Sequence, residues 1–410
     1  MVRRSMPPYK LISSDSHLEV PPEYWIHRVP AKYRDRAPRR VKLDTGSDAL
    51  VVDGSDPIQN SSDMYASRRP RPYDPNVISY DDTAGTGPAE QRLQEQDVEN
   101  IEAEVLFPAQ VAGPQSWRRI KDDDAYLAVV RAYNDWLAEE YCATAPDRLI
   151  GLGILPWTTG DDMVAELERC AKKGFKGVAL GVYPGGQGYP TPEDDRFWAA
   201  ALDLQMPVAI HVQLLRVGER SKQPSFRYPQ EPERLKAAFA PGSKRTVVDR
   251  MARFGLDSAL TVSQLVMCGL FDRFPDLHVF VAESRVGWLP FWFENADLQY
   301  ERNIYWCSRD LGLKPLEEPP SEYIKRHIYW SIQCERVGVE VRHHIGVDHI
   351  MFATDFPHVE CEYPRTPELV DDIYAGVPET ERYQILRGNA IRFFKLKDKE
   401  QADRQALLSC

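Results

Sequence analysis

Short apolar runs alternate with longer amphipathic stretches along the chain. The runs at 10–15, 104–109, 149–156, 177–183, 207–212, 278–283, 328–332 and 349–355 are mostly continuous and rich in β-branched or aromatic residues. That is the pattern of parallel strands buried on both faces. Helical periodicity fills most of the gaps, at 89–100, 124–145, 160–173, 192–205, 245–273, 287–302, 334–345 and 379–394. Eight strands separated by helices predict an α/β fold, a (β/α)8 TIM barrel of the metal-dependent hydrolase type. A doubly wound open sheet is the alternative, and it lacks a Gly-rich phosphate fingerprint here. Two connections are long, 18–88 and 213–244. Both leave the C-terminal ends of predicted strands, where barrel active sites sit, so ordered lids are expected there. The first carries a candidate hairpin, VKLDTGSDALVVD, and a polar, Pro-rich stretch. A disordered insertion at 54–85 competes with the lid reading. With no internal repeat, low-complexity tract or linker, a single domain over 1–410 is expected.

Composition removes several function classes. Hydrophobic residues make up 43% of 410, enough for a sizeable core. A net charge of -11 argues against nucleic acid and against an anionic membrane surface as partners. No apolar run reaches bilayer length, and MVRRSMPPYK lacks the apolar core of a signal peptide. Seven scattered cysteines, odd in number and without C-x-x-C, predict thiols in a reducing cytoplasm.

The polar residues at the predicted strand ends suggest chemistry. In LISSDSHLEV, Asp15 and His17 are alternate residues of a strand and project to the same side. His211 closes the fifth strand in VAIHVQ, Glu283 the sixth in VFVAES, and Asp355 the eighth in IMFATDFPH, with His358 just beyond. Taken singly, Asp15 reads as a helix cap and His211 as an ordinary core histidine. Converging on one barrel mouth, Asp15, His17, His211 and Asp355 become a two-His, two-carboxylate set for one divalent ion, Zn2+ first and Mn2+ second. The remaining histidines serve as controls. His278 and His349 open strands, His343 and His344 lie in a helical pattern, and His27 and His327 sit in loop or pre-strand context. Lys176 opens the fourth strand, so a lysine-bridged pair of metals is not expected. GLGILP lacks the third glycine of a dinucleotide turn, and no P-loop or G-x-S-x-G elbow occurs. A metal-free carboxylate pair of the glycosidase kind would leave His17 and His211 unused.

SSDSHLEVPPEYW, AIHVQ, AESRVGWLPFW, FATDFPH and GNAIRFF together resemble the amidohydrolase-related branch of the amidohydrolase superfamily. That branch includes aminocarboxymuconate-semialdehyde and γ-resorcylate decarboxylases. The likeness runs from Asp15 to Phe394. It implies a distorted (β/α)8 barrel, a homodimer, and one catalytic divalent ion on Asp15, His17, His211 and Asp355. On strand six the decarboxylases carry a histidine six residues before a proline. Counting back from Pro290 lands on Ser284, and Glu283 is the nearest ionisable group.

Three functions are weighed. The leading expectation is hydrolysis of a small organic substrate by metal-activated water, with Asp355 accepting its proton. The alternative is metal-dependent, non-oxidative decarboxylation of a small aromatic or enolisable acid. The third is a barrel that binds a ligand without catalysis. Glu283 is expected to hold or donate a proton, and His358 to contact an anionic substrate or metal-bound oxygen.

Overall fold

A computed structural model of the chain describes residues 9–59, 79–81, 83–109, 113–215, 226–238, 247–252, 257–358, 360–397 and 399. Much of the Pro-rich stretch after residue 59 and part of the 213–244 connection lie outside the described residues. The chain divides into two compact units. The first comprises 1–156, 169–179 and 351–410; the second comprises 157–168 and 180–350.

The first unit is organised around β1 (Leu11–Leu18). All eight residues are buried although five of them are Ser, Asp or His. Buried hydroxyls need partners, and here they fasten the strand sideways. Ser14 Oγ donates to the Phe352 carbonyl at 2.9 Å. Ser13 Oγ accepts the Thr354 N–H at 2.9 Å and lies 3.0 Å from Thr354 Oγ1. Ser16 Oγ donates to Glu104 at 3.1 Å. These bonds let the strand run three residues past its expected end at Asp15.

Further along the chain come β2 (Arg39–Lys42), β3 (Asp48–Val51) and β4 (Ile58–Gln59). Lys42 pairs with Asp48 and Arg39 with Val51, so the expected hairpin forms, and β4 adds a third antiparallel strand. Next are β5 (Ile101–Pro108), β6 (Leu149–Gly151), β7 (Gly153–Ile154) and β8 (Val178–Ala179). β1, β5 and β6 pair in parallel, with His17 beside Phe107. The expected strand 149–156 is split at Leu152: β6 pairs with β5, and β7 pairs with β8. Its two glycines fit close packing rather than a phosphate. A Cβ at Gly151 would meet Leu137 and Cys142 at 2.9 Å, and one at Gly153 would meet Cys170 Sγ at 2.5 Å. Helix Asp123–Trp136 covers this region, capped by Asp122, which accepts the Ala125 N–H at 3.2 Å. Trp117, Tyr133 and Trp25 pack ring to ring beneath it.

The second unit holds β9 (Val208–His211), β10 (Val279–Ala282) and β11 (Ile328–Ile332), paired in parallel. β12 (Ile350–Phe352) begins at its boundary and leads into the final segment of the first unit. The 23-residue helix Leu289–Leu311 follows β10. Its inner face joins Ala296, Cys307 and Leu311 to Met251, Phe226 and Tyr228 in one buried cluster. No helix among the described residues is long and apolar enough to cross a membrane.

Candidate active site

β1 delivers Asp15 and His17, both fully buried, and the backbone just after β12 delivers Asp355, also fully buried. Two main-chain bonds lock these segments together. The Asp355 N–H donates to the Asp15 carbonyl at 2.9 Å, and the His17 N–H to the Phe356 carbonyl at 2.7 Å. Asp355 is held at φ 57°, in the left-handed region that a non-glycine residue enters at a cost. One ligand atom from each of Asp15, His17 and Asp355 lies within 4.8 Å of the others.

The tautomer of His17 follows from its partner. Nδ1 lies 3.1 Å from the Pro108 carbonyl oxygen, which can only accept, so Nδ1 carries the proton. Nε2 then presents a lone pair to Asp355 Oδ1 at 3.3 Å and Asp15 Oδ1 at 3.7 Å. Burial, and then the neighbouring His358, pull the His17 imidazole below its ordinary value, which keeps it neutral. Three electron-rich atoms facing one another in a buried pocket call for a cation between them. Donor atoms sharing a tetrahedral ion with bonds of about 2.1 Å sit roughly 3.4 Å apart, so the set fits one divalent ion.

His358 completes this cluster. Its ring stacks on His17 with centroids 3.9 Å apart. Nδ1 lies 3.0 Å from Asp355 Oδ1, and Nε2 lies 3.2 Å from Glu19 Oε1. Burial opposes the charged imidazole, but Asp355 and then Glu19 outweigh it and raise His358 well above its ordinary value. Burial likewise opposes the ionised form of Asp355, and the two imidazoles outweigh that and hold its carboxyl far below the usual range. Both ring nitrogens of His358 are thus engaged by carboxylates of the protein.

Glu19 was not anticipated, although the signal was present. It is the next alternate residue after Asp15 and His17, so strand periodicity alone points to it. Arg92 and Glu104 were missed as well. Arg92 Nε meets Glu104 Oε2 at 2.6 Å, and both residues are almost fully buried. The remaining guanidinium donors reach the carbonyls of His17 at 3.0 Å and Phe356 at 3.2 Å. One arginine therefore ties the backbone of His17 to that of Phe356, the residue after Asp355. Nothing in the local sequence of Arg92 marks this role, which depends on carbonyls 75 and 264 residues away.

In the second unit, His211 ends β9 in register with Ala282 of β10. That places His211 Nε2 3.3 Å from Glu283 Oε2. Both side chains are partly exposed. The strand stops at Ala282, and Glu283 takes φ 49°, so a turn rather than strand alternation sets its direction. Of the other histidines, His27, His278, His343 and His344 are exposed and His327 is an ordinary core group. His327 Nδ1 bonds the Leu277 carbonyl at 2.8 Å, and its ring stacks on Phe271. Lys176 is exposed, ahead of β8.

Residues 15–396 match the amidohydrolase family profile. The chain belongs to the amidohydrolase family. It is an enzyme of that family, and its fold class is the (β/α)8 barrel that the strand–helix alternation predicted. Among its relatives is the γ-resorcylate decarboxylase of Polaromonas sp., 24% identical over 311 residues, which cover 75% of this chain and 87% of that protein. A solved amidohydrolase of Mycobacterium avium subsp. paratuberculosis superposes with a TM-score of 0.66 at 20% identity, over 94% of this chain and 98% of that one. A 5-carboxyvanillate decarboxylase of Novosphingobium aromaticivorans, solved with manganese and a nitrobenzoic acid, gives a TM-score of 0.60 at 16% identity, over 96% of this chain and all of that one. The Polaromonas and Novosphingobium proteins are both decarboxylases, which favours the alternative expectation over hydrolysis. The metal in the second is manganese, not the zinc placed first.

Proposed function

We propose that this amidohydrolase-family enzyme is a divalent-metal-dependent, non-oxidative decarboxylase of a small aromatic or enolisable carboxylic acid. Asp15, His17, His211 and Asp355 are its ligands, and Mn2+ or Zn2+ is the ion. The observation that carries this reading is the buried triad of Asp15, His17 and Asp355, with His17 Nε2 turned to two carboxylates. The ion, when bound, supplies a positive charge that orients an acidic substrate and stabilises the electrons left when CO2 departs.

The chain's own groups manage the proton. The carbon–carboxylate bond breaks, its electron pair stays on the substrate carbon, and one proton must reach that carbon. In this reading Asp355 Oδ1 passes the proton and His358 Nδ1 replaces it, supported by their 3.0 Å separation. Glu19 holds the far side of His358, so the imidazole keeps one orientation. Glu283, paired with His211, is the second group able to hold a proton.

A substrate panel separates this reading from hydrolysis. Protein stripped with a chelator and reloaded with Mn2+ or Zn2+ is offered hydroxybenzoic acids beside amides and esters. CO2 release is scored apart from hydrolysis. Metal-dependent CO2 release from a hydroxybenzoate is expected. Turnover of amides or esters with no CO2 from any acid would reinstate the hydrolase.

A further inference from the structure

Gln333 is the first residue past β11, and it is 3% exposed. Among the described residues, neither its Oε1 nor its Nε2 has a hydrogen-bond partner. A buried amide with both ends unmet destabilises the fold that contains it, and native structures hold few such groups. The backbone around it is firmly held. The Glu335 carboxylate accepts the Gln333 N–H at 3.1 Å and the Val286 N–H at 2.9 Å, which fastens the turn after β11 to the turn after β10. The segment is thus fixed while the head of the side chain is left open. Its neighbours Cys334 and Glu335 are only partly buried, so the amide lies just beneath the surface. A side-chain rotation brings it to a ligand.

Strand register gives the direction of that head. Ile210, Val281 and Trp330 stand side by side on β9, β10 and β11. The Trp330 ring meets Trp288 and Trp292 edge-on, on the side of the helix that follows β10. A Cβ at Gly338 would meet Ile332 Cδ1 at 3.0 Å, so Ile332 faces the helix after β11. Alternate residues take the other face. Ser331 and Gln333 therefore point inward, and so does His211, next to Ile210. Both His211 and Gln333 stand at the C-terminal ends of their strands, where barrel sites are built. Two strand spacings separate them, about 10 Å, a span that one aromatic ring and two side chains bridge.

The chemistry of an amide narrows what it takes. Oε1 only accepts and the Nε2 group only donates. A carboxylate would satisfy the donor alone, and an ammonium the acceptor alone. A hydroxyl meets both from one atom, giving its proton to Oε1 and accepting from Nε2. We propose that Gln333 is a specificity residue that binds a hydroxyl on the ring of an aromatic acid substrate. The class of acid rests on the decarboxylase reading above, and Gln333 adds the group by which one acid is told from another. A site that hydrogen-bonds a substrate hydroxyl rejects the analogue lacking it, because the amide is then left unmet.

Calorimetric titration of the Mn2+-loaded full chain with ortho-, meta- and para-hydroxybenzoate and with benzoate tests this. The parent is expected to bind one hydroxybenzoate at least about tenfold more tightly than benzoate. Gln333→Leu is expected to lower that ratio about tenfold while benzoate binds as before or more tightly. Melting of the ligand-free chain supplies a second readout. Gln333→Leu removes an unmet amide, so it is expected to melt at or above the temperature of the parent. Gln333→Met, closer in shape to glutamine, repeats both measurements should leucine disturb the packing. A lowered melting temperature in both variants would reveal a structural partner for the amide and overturn the proposal. A hydroxyl ratio that both variants keep, or no binding by any of the four acids, would overturn it as well. CO2 release is scored in parallel. Acids that bind with the expected ratios but release no CO2 would overturn the decarboxylase and uphold the role of Gln333.

Discussion

His17 and His358 in the first unit stack with ring centroids 3.9 Å apart, and His278 and His327 in the second lie 5.8 Å apart. The two pairs differ in what they face. His278 and His327 bond the backbone carbonyls of Asp276 and Leu277. Burial pulls both below their ordinary values, so they stay neutral. His17 also bonds a carbonyl, through Nδ1, but its other nitrogen and both nitrogens of His358 meet carboxylates. A carbonyl satisfies a neutral imidazole and ends the matter. A buried carboxylate brings net negative charge, which must be met by a proton or a cation. His327, as buried as His17 and His358, therefore stays a packing group, while the carboxylates beside the other two make those reactive.

Removing the carboxylate charge should have the largest effect. Asp355→Asn keeps the shape but can neither carry the proton nor hold His358 as a cation. A fall in kcat of about two to four orders of magnitude is expected, together with loss of retained metal by elemental analysis. Turnover within about threefold of the parent would reduce Asp355 to a structural residue. Arg92→Met acts one layer further out. It strands the buried Glu104 carboxylate, and a loss of about 3–5 kcal/mol is expected in urea unfolding. Glu104→Gln added to it should recover part of that loss by removing the stranded charge.

A buried acid that faces a hydroxyl instead of an imidazole sharpens the contrast. Glu99 accepts from the Thr366 hydroxyl and backbone N–H. Burial pushes its carboxyl up from 4.5 to about 7 against those two bonds, with Glu104 and Glu362 adding repulsion. The folded state therefore favours the protonated form. The stability this gives is full below the ordinary value and is lost as pH rises to about 7. Glu99→Gln should flatten that decline, which is on the order of 3 kcal/mol, in melts run from pH 4.5 to 8. An unchanged slope would show that Glu99 is ionised in the folded chain.

Glu19→Gln tests the support of His358. A loss of about ten- to a hundredfold in kcat is expected, the usual range for a partner that orients a site residue. The pH–rate profile should move as well, which a purely structural residue would not cause. At the bottom of the range, His327→Phe should leave kcat/KM within about threefold and lower only the melting temperature, since its partner is a carbonyl. A large kinetic loss there would break the comparison between the two histidine pairs.

The strand–helix alternation and the strand-end acids and imidazoles were legible because period and position are local properties. The ligand set proposed at 15, 17, 211 and 355 needed only that reading. β1 was read short because Ser13, Ser14 and Ser16 look like the end of a strand. Their burial is legible only once Phe352, Thr354 and Glu104 are beside them. The fourth expected strand, 177–183, shrinks to Val178–Ala179 with an isolated bridge from Val182 to Leu215. Tyr183 points elsewhere, its hydroxyl 2.7 Å from Gln264. Arg92 was illegible for the same reason as the serines: its partners are distant in the chain.

The hydroxyl pairing of Ser13 with Thr354 joins residues 341 positions apart. A strand with hydroxyls and charges on its faces has little apolar pattern to fix its register in advance. During synthesis, β1 leaves the ribosome before the other described strands and waits while they are made. The half-site of Asp15 and His17 gains its closing partner only when Thr354 and Asp355 emerge. Contacts of such long span are slow to form and come late. With the ligand set proposed above, competence to hold an ion is thereby tied to completion of the fold.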